Sequence, residues 1–251
     1  MKGQFKNTKE LNTFIEPLKI IGLIVGENGF NVGFCKDEND KIEYSIYAKN
    51  KTRGVMIVHK WNSLFDGFEF DGDDTKIGFM RVQDLIGRLS LFDDDIINVE
   101  MNDNGILSFK QKKVKLNFKT SDPDLIVDGK RTLKDQEWLA EFDFGDDTEK
   151  IISSLKVMSS EEFIFFKGIE EKGTIKITIS NSGLKTNALN YSIDATVNAD
   201  FEIAFKKDIL PIILNTKGTT EIKCSIASKM MKIDLKTAYC DTRYYISKAL
   251  I

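Results

Sequence analysis

The chain has 251 residues, of which 41% are hydrophobic and 30% are charged, and its formal net charge at pH 7 is -3. A slightly acidic protein has no general attraction to nucleic acids or anionic membranes, so binding to either would require a segregated basic surface. The three cysteines, Cys35, Cys224 and Cys240, lack CxxC spacing, which indicates reduced thiols and no metal site. The apolar runs are too short to span a membrane, and the polar start Met-Lys-Gly-Gln-Phe-Lys is unlike a secretory signal, so an intracellular location is expected.

The first half of the chain predicts two helices and a series of short antiparallel strands. Apolar residues at helical spacing predict a helix at about 8–20, beginning with a capping box at Asn7 and Glu10 and kinked at Pro17. The pattern then changes to strand-like runs at 22–26, 29–34, 42–47, 55–58 and 76–80. A second helix is predicted at 82–91, followed by strands at 96–101, 106–109 and 114–118 with a hairpin turn at Asn104-Gly105.

The stretch 120–136 predicts a linker between two domains. It contains Pro123 and Gly129 as breakers, shows no sustained helical or alternating period, and is too long to be a usual connection within one domain. Three consecutive aliphatic residues, Leu125, Ile126 and Val127, are unusual in a solvated linker. We therefore expect them to rest on another surface.

The second half repeats the pattern of the first. A third helix is predicted to begin with a capping box at Asp146 and Glu149, and a fourth helix is predicted to begin at Asp208, with Pro211 in its first turn. Strand-like runs at 163–167, 174–180, 188–196 and 201–205 lie between these helices, and three more close the chain. The sequence thus predicts an α+β protein with an internal duplication, with domains at 1–119 and 137–251 joined by the linker 120–136.

Basic residues are concentrated on the four predicted helices and their immediate starts. These segments carry nine basic and five acidic residues, a net of +4 in a chain of net charge -3. Such a surface suits a polyanion, chiefly the phosphates of DNA, although amphipathic helices commonly carry charge on their solvent side. The basic residues are Lys9, Lys19, Arg81, Arg88, Lys150, Lys156, Lys206, Lys207 and Lys217.

Three short motifs resemble those of DNA sliding clamps. Residues 201–210, Phe-Glu-Ile-Ala-Phe-Lys-Lys-Asp-Ile-Leu, and the ending Arg-Tyr-Tyr-Ile-Ser-Lys-Ala-Leu-Ile resemble the last part of the eukaryotic and archaeal clamps. The ending lacks the proline of the clamp tail motif. Residues 82–95, Val-Gln-Asp-Leu-Ile-Gly-Arg-Leu-Ser-Leu-Phe-Asp-Asp-Asp, are similar to a helix of the clamps of T-even-like phages.

The resemblance implies a processivity factor for viral or cellular DNA replication, built as a ring of six duplicated α+β domains. Two domains per chain then give a homotrimer around duplex DNA, with the basic helices lining the hole. The resemblance also implies that DNA polymerase and a clamp loader ATPase dock in a pocket beneath the linker. That pocket is expected to comprise Leu125, Ile126, Val127, Tyr244, Tyr245, Ile246 and Ala249. The location would be the host cytoplasm for a phage protein and the nucleus for a eukaryotic one.

Two predicted outer strands suggest how the copies would meet. Val114, Leu116 and Phe118 in the first half, and Leu189, Tyr191 and Ile193 in the second, lie on strands that would otherwise leave backbone groups unpaired. By the resemblance, the first edge of one chain pairs with the second edge of the next. Such a head-to-tail contact has to close into a ring if it is not to form a filament.

Enzyme chemistry is the competing interpretation, and the sequence gives it little support. The acidic clusters at 71–74, 93–95 and 146–147 lie beside predicted turns and caps, where aspartate is expected for backbone reasons. His59 is the only histidine, and no glycine-rich phosphate loop is present, so no catalytic residue, cofactor or metal is predicted. The remaining alternative is a monomeric clamp-like adaptor that binds a polymerase without encircling DNA, which the mass in solution would distinguish.

Overall fold

A computed structural model describes residues 1–36, 42–50, 54–62, 74–93, 95–126, 136–158, 160–181 and 184–250. The chain divides into two compact units. Unit 1 comprises Met1–Asn50, Ile57–Lys130 and Tyr239–Asp241, and unit 2 comprises Lys51–Met56, Arg131–Ala238 and Thr242–Ile251. Among the described residues, no helix is both long enough and apolar enough to cross a membrane.

The described residues of unit 1 form two α-helices and eight strands, except that the first two residues of one strand, Val55 and Met56, fall in unit 2. In chain order these are β1 (Lys2–Phe5), α1 (Thr8–Val25), β2 (Phe30–Lys36), β3 (Ile42–Asn50), β4 (Val55–Trp61), β5 (Asp74–Phe79), α2 (Val82–Leu89), β6 (Ile97–Met101), β7 (Ile106–Gln111) and β8 (Val114–Lys119). The strand order is β1-β6-β7-β8 in one sheet and β4-β3-β2-β5 in the other.

Helix α1 begins where the sequence predicts and ends later. The side chain of Asn7 accepts a hydrogen bond from the N–H of Glu10 at 3.0 Å, as a capping residue does. The helix continues through Pro17 to Val25, because Ile21, Ile24 and Val25 extend its buried apolar stripe. The strand predicted at 22–26 is therefore wrong. Strand β1, which pairs with β6, was not predicted.

The core of unit 1 lies between its helices and its sheets. Phe14 of α1 stacks on Trp61 of β4 with ring centroids 5.6 Å apart, and Nε1 of Trp61 donates to the carbonyl of Thr13. Helix α2 packs so closely against α1 that a Cβ at Gly22 would lie 2.4 Å from Cγ1 of Val82. Glycine at position 22 thus lets the two helices form a pair.

Unit 2 has the same plan. Its elements are β9 (Trp138–Asp143), α3 (Thr148–Val157), β10 (Phe163–Ile169), β11 (Thr174–Asn181), β12 (Leu184–Asp194), β13 (Thr196–Val197), β14 (Phe201–Lys206), α4 (Leu210–Leu214), β15 (Thr219–Ala227), β16 (Met230–Thr237) and β17 (Cys240–Ser247). The strand order is β12-β11-β10-β14 in one sheet, and β9-β15-β16-β17 follow one another in the other, with β13 beside β9. These orders repeat β4-β3-β2-β5 and β1-β6-β7-β8 of unit 1, which confirms a duplicated α+β fold with antiparallel sheets.

The helices of unit 2 begin differently from the sequence prediction. The N-cap of α3 is Asp147, which makes no side-chain capping bond, in place of the predicted Asp146, whose side chain lies outside the described residues. Helix α4 has five residues, and its N-cap is Ile209 in place of the predicted Asp208. Proline is tolerated in the first turn of α4, because an N–H at that position would lack an intrahelical partner anyway.

Candidate DNA and partner interfaces

The helices carry most of the predicted DNA-binding side chains. Eight of the nine are exposed: Lys9 and Lys19 on α1, Arg81 and Arg88 at the two ends of α2, Lys150 and Lys156 on α3, Lys206 at the end of β14, and Lys217 in the turn after α4. Lys150 forms an ion pair with Asp147 at 3.0 Å. The other seven make no ion pair with a described residue, so their charge is available to a ligand.

Lys207 is placed differently from the prediction. Its side chain is buried, and Nζ donates to the carbonyl of Leu155 at 3.1 Å, near the C-terminal end of α3. Burial lowers the pKa of Lys207 below the ordinary lysine value, while Glu161 and Asp208 act in the opposite direction. This lysine holds α3 within unit 2 and is unavailable for a phosphate contact.

The observed helix bounds also correct the predicted charge of the helices. Arg81, Lys206, Lys207 and Lys217 lie outside the observed helices, so the helices alone have a net charge of +1, whereas the +4 counted in the sequence included their immediate starts. Five basic residues, Lys9, Lys19, Arg88, Lys150 and Lys156, stand against four acidic residues, Glu10, Glu16, Asp84 and Glu149. The basic excess therefore includes the helix ends and adjoining turns.

The predicted partner residues of the linker differ in exposure. Leu125 is 75% exposed, whereas Ile126 is 4% exposed and packs near Gly78 of β5. Val127 lies outside the described residues. Ile126 thus anchors the linker on unit 1, and Leu125 is the residue that offers an apolar surface.

The predicted partner residues of the tail lie in unit 2 and also differ in exposure. Tyr244 and Ile246 are buried in the core, so the prediction that they contact a partner is wrong, and they support the strand instead. Tyr245 and Ala249 are half-buried, and the N–H of Ala249 donates to the carbonyl of Ala204 at 2.8 Å. The prediction that linker and tail form one pocket stays a prediction.

Both predicted interface strands lie at sheet edges. β8 ends the order β1-β6-β7-β8, and β12 ends the order β12-β11-β10-β14. On β8, Val114 is exposed, Leu116 is half-buried and Phe118 is buried. On β12, Leu189 and Tyr191 are half-buried and Ile193 is buried. Each strand therefore presents an apolar side that is only partly covered by its own unit.

The hydrogen bonds of β8 show which backbone groups face the open side. The N–H of Thr120 donates to the carbonyl of Gly105 at 2.9 Å, and the register continues from Ile106 opposite Lys119. Hydrogen-bonded pairs alternate with non-bonded pairs along an antiparallel ladder, so the backbone groups of Val114, Leu116 and Phe118 form hydrogen bonds to β7. The N–H and C=O groups of Lys115, Asn117 and Lys119 therefore point outward.

The same reasoning applies to β12. The N–H of Ala195 donates to the carbonyl of Gly173 at 2.9 Å, next to the pair Thr174 and Asp194. Residues 189, 191 and 193 thus bond to β11, and the backbone groups of Asn190, Ser192 and Asp194 point outward. Among the described residues, no strand pairs with either open side.

Two of the groups weighed for enzyme chemistry, Asp95 and His59, have identifiable structural surroundings. Asp95 forms an ion pair with Lys112 at 2.8 Å, and the hydrogen bond from that lysine lowers the pKa of Asp95. His59 is buried beside Trp61, and burial lowers its pKa to about 3. Of the acidic clusters, residues 71–73 and Asp94 lie outside the described residues, as do the side chains of Asp74 and Asp146. Within the described part of the chain, no three His, Cys, Asp or Glu residues are grouped as a metal site requires.

No protein-family model matches the sequence, and no curated protein matches it. Solved structures do match. A proliferating cellular nuclear antigen from Entamoeba histolytica aligns with a TM-score of 0.71 and 14% identity, covering 99% of this chain and 98% of that one. The chain has the fold of the DNA sliding clamps.

Two further clamp structures support this fold assignment. The PCNA of A. fulgidus, solved with the C-terminal region of FEN-1 bound, aligns at a TM-score of 0.72 with 11% identity over 100% of this chain and 98% of that chain. The PCNA2-PCNA3 complex from Sulfolobus tokodaii aligns at 0.69 with 11% identity over 99% of both chains. Because the clamp fold spans both units, the match is not that of a single shared domain.

One residue that positions the linker in unit 1 was not predicted from the sequence. Asn31 of β2 is 7% exposed, and its Nδ2 donates to the carbonyl of Pro123 at 3.1 Å. The only signal in the sequence is a polar residue between Phe30 and Val32 in an apolar strand. That signal does not indicate a partner 92 positions away.

Proposed function

We propose that this protein is a DNA sliding clamp, a processivity factor that encircles duplex DNA and tethers a replicative polymerase. The observation that carries the proposal is the alignment of nearly the whole chain, in both units, with three clamp structures. A clamp acts by topology and does no chemistry on its substrate, so the proposal requires no catalytic residue or cofactor. Its compartment is that of the DNA, which is the host cytoplasm for a phage protein and the nucleus for a eukaryotic one.

The DNA contacts are assigned to the exposed cations of the helices and their ends. Lys9, Lys19, Arg88 and Lys156 are exposed and form no ion pair with a described residue. Lys and Arg side chains contact phosphates without reading sequence, which suits a protein that moves along any duplex. Lys207 is removed from the predicted set because it is buried.

Partner contacts are assigned to the linker of unit 1 and, separately, to the tail of unit 2. Leu125, Tyr245 and Ala249 are the predicted residues that have accessible surface, and Ile126 supports Leu125 from below. One of the similar structures contains the C-terminal region of FEN-1 bound to a clamp. We assign this chain's site to the polymerase and the clamp loader ATPase.

Assembly is the most direct test of the proposal. A homotrimer of 28.5 kDa chains has a mass of about 85 kDa, and light scattering on purified protein at micromolar concentration should show it. Leu116→Asp places a charge on the open apolar side of β8 and should reduce the mass to that of one chain. Gln4→Asp is the matched control, because Gln4 is exposed on β1 at the opposite edge of the same sheet.

A monomeric adaptor of the same fold is the second candidate. The observation that favours it is the small net charge of the helices, since an adaptor that does not encircle DNA has no need of a strongly basic surface. A wild-type mass of 28.5 kDa at every concentration would support the adaptor. Retention on nicked circular DNA, with loss from the same DNA after linearisation, would support the clamp.

A further inference from the structure

Positive charge is more concentrated on the hairpin of β7 and β8 than on any helix. Residues 104–121 contain five lysines and no acidic residue, in a chain of net charge -3. All five are exposed, and Lys112 forms an ion pair with Asp95. The other four make no ion pair within the described part of the chain: Lys110, Lys113, Lys115 and Lys119. The open edge of unit 1 is therefore bordered by uncompensated positive charge.

Two of these lysines repel each other within the hairpin. Lys110 lies directly opposite Lys115 in the register of β7 and β8. Since the backbone groups of Lys115 point outward, this is a non-hydrogen-bonded pair, in which the side chains come closest. Like charges at such positions destabilise a sheet. The charge thus does nothing for the stability of the hairpin, and any benefit must come from outside it.

The apolar side chains of β8 do not decide which edge covers this strand. If a second copy of β8 paired antiparallel with the first, Leu116 would face Leu116 and Val114 would face Phe118, so every apolar position would be matched. The β12 edge of a second copy offers three apolar positions as well. Pairing of two β8 edges would give a closed dimer, because both copies use the same surface, and it would leave β12 uncovered.

The lysines distinguish the two arrangements. Two β8 edges overlap best in three registers, in which Leu116 faces Val114, Leu116 or Phe118, and each of these registers places lysine opposite lysine. The pairs are Lys115 with Lys115, Lys113 with Lys119, and Lys115 with Lys119, respectively. The residues of β12 whose backbone groups point outward are Asn190, Ser192 and Asp194, and none of them is basic.

We propose that the lysines of this hairpin prevent two β8 edges from pairing, so that the occupant of the edge is the β12 edge of a second copy. The inference rests on the proposed function, to which it adds the reason why like edges do not meet. Complementary charge favours the same occupant, since residues 188–202 contain three acidic residues and no basic one. With Leu116 facing Tyr191, the turn residue Lys113 comes beside Asp194. Repulsion of the wrong edge and attraction of the right one together determine the specificity of the contact.

Blocking β12 shows whether β8 then pairs with itself. Ser192→Pro deletes an N–H that points outward and leaves the ladder to β11 intact, as proline does on an edge strand. Light scattering on this variant at micromolar concentration should give the mass of one chain, 28.5 kDa. The further changes Lys113→Gln, Lys115→Gln and Lys119→Gln remove the like-charge pairs, so the mass should rise towards that of two chains, about 57 kDa.

Salt should act in the same direction as the glutamine substitutions. Between about 0.1 M and about 1 M salt the Debye length falls from about 10 Å to about 3 Å, which screens charges on the surface. The dimer fraction of Ser192→Pro should therefore increase with salt, whereas that of the chain with the three glutamines should change little.

Two variants in the Ser192→Pro chain control for causes other than charge. The same three lysines changed to arginine keep the charge and should leave a single chain. Lys223→Gln, Lys229→Gln and Lys248→Gln remove three charges from exposed positions of unit 2 and should also leave a single chain. Tyr191→Asp replaces Ser192→Pro if the proline variant does not fold, because a charge on the half-buried apolar side of β12 also opposes pairing.

The outcomes separate this inference from the proposed function. A mass of about 57 kDa for Ser192→Pro with its native lysines at low salt would overturn the inference, and so would a single-chain mass after the three glutamine substitutions. Either result leaves a trimeric wild type, and with it the proposed ring, in place. A wild-type mass of 28.5 kDa at every concentration would overturn the ring, whereas dimers that form only after the glutamine substitutions would still support the role of the lysines.

Discussion

A disulfide between Leu116→Cys of one copy and Tyr191→Cys of the next would test the proposed ring at single-residue resolution. The outward backbone groups of β8 belong to Lys115, Asn117 and Lys119, and those of β12 belong to alternate residues from Asn190 to Asp194. Antiparallel pairing of the two edges must join these two sets. The allowed registers therefore differ from one another by steps of two residues.

The apolar side chains favour one of these registers. When Leu116 lies opposite Tyr191, Val114 faces Ile193 and Phe118 faces Leu189, so each apolar position of β8 meets an apolar position of β12. A slip of two residues in one direction would place Val114 opposite Ala195. A slip in the other direction would place Phe118 opposite Asn187. We expect the register with three apolar pairs, because cross-strand pairs of this kind stabilise a sheet.

The expected Cβ–Cβ distances distinguish a directly opposite pair of cysteines from a diagonal pair. Residues directly opposite in an antiparallel pair have Cβ atoms about 4.5–5.5 Å apart, and diagonal neighbours are about 7–8 Å apart. A disulfide requires Cβ atoms about 3.5–4.5 Å apart. Small backbone adjustment is therefore enough for Leu116→Cys with Tyr191→Cys. It is not enough for Leu116→Cys with Ile193→Cys.

The assay is non-reducing electrophoresis after mild oxidation of the purified double variants. The first pair should give covalent species of two and three chains, and the second pair and each single variant should give almost none. Cys224 and Cys240 are buried and should not contribute, and the single variants control for Cys35, whose side chain lies outside the described residues. Efficient cross-linking by the second pair would refute the register. A trimeric mass without cross-linking by either pair would show that these edges are not the contact.

Two further predictions concern charge. The double variant Lys19→Glu, Lys156→Glu should reduce the slope of log affinity for DNA against log salt concentration by about 0.9 for each lost phosphate contact. The control variant Lys110→Glu, Lys229→Glu changes lysines that are exposed on β7 and between β15 and β16, and it should leave the slope unchanged. Equal slopes in the two variants would argue against the helices as the DNA surface. Burial lowers the pKa of His59 from 6.5 to about 3, so the unfolded chain takes up a proton as pH falls below 6.5 while the folded chain does not. The free energy of unfolding should therefore fall by about 2 kcal/mol between pH 6.5 and pH 5. Urea denaturation of His59→Phe should not show this fall. The same fall in His59→Phe as in the wild type would contradict the assignment.

The sequence predicted those features that depend on local pattern. Alternating apolar residues located most of the strands, and Asn7 with Glu10 located the start of α1, because capping depends on residues three positions apart. The order of elements was also sufficient to predict a duplicated α+β fold. β1 was missed, because its four residues contain one buried side chain, Phe5, and form a strand only by pairing with β6.

The features that depend on tertiary contact were not predictable. Lys206 and Lys207 are adjacent and identical, yet the first is exposed and the second is buried against the carbonyl of Leu155. Their side chains point in different directions at the end of β14, and only the position of α3 decides which one finds an acceptor. Alternation along β17 requires that one of Tyr244 and Tyr245 be buried and the other partly exposed, but only the packing of the sheet decides which of the two is buried.

The small charge of the helices bears on how a clamp of this kind would hold DNA. A protein that binds DNA only through phosphate contacts loses affinity steeply as salt rises, because each contact depends on the release of a counterion. A closed ring does not rely on those contacts, since it leaves circular DNA only when an edge such as β8 separates from its partner. A net helix charge of +1 is therefore compatible with stable retention if the ring is closed, and it limits the electrostatic friction that would oppose movement. On this argument, retention on circular DNA should depend on substitutions at Leu116 more strongly than on substitutions at Lys19.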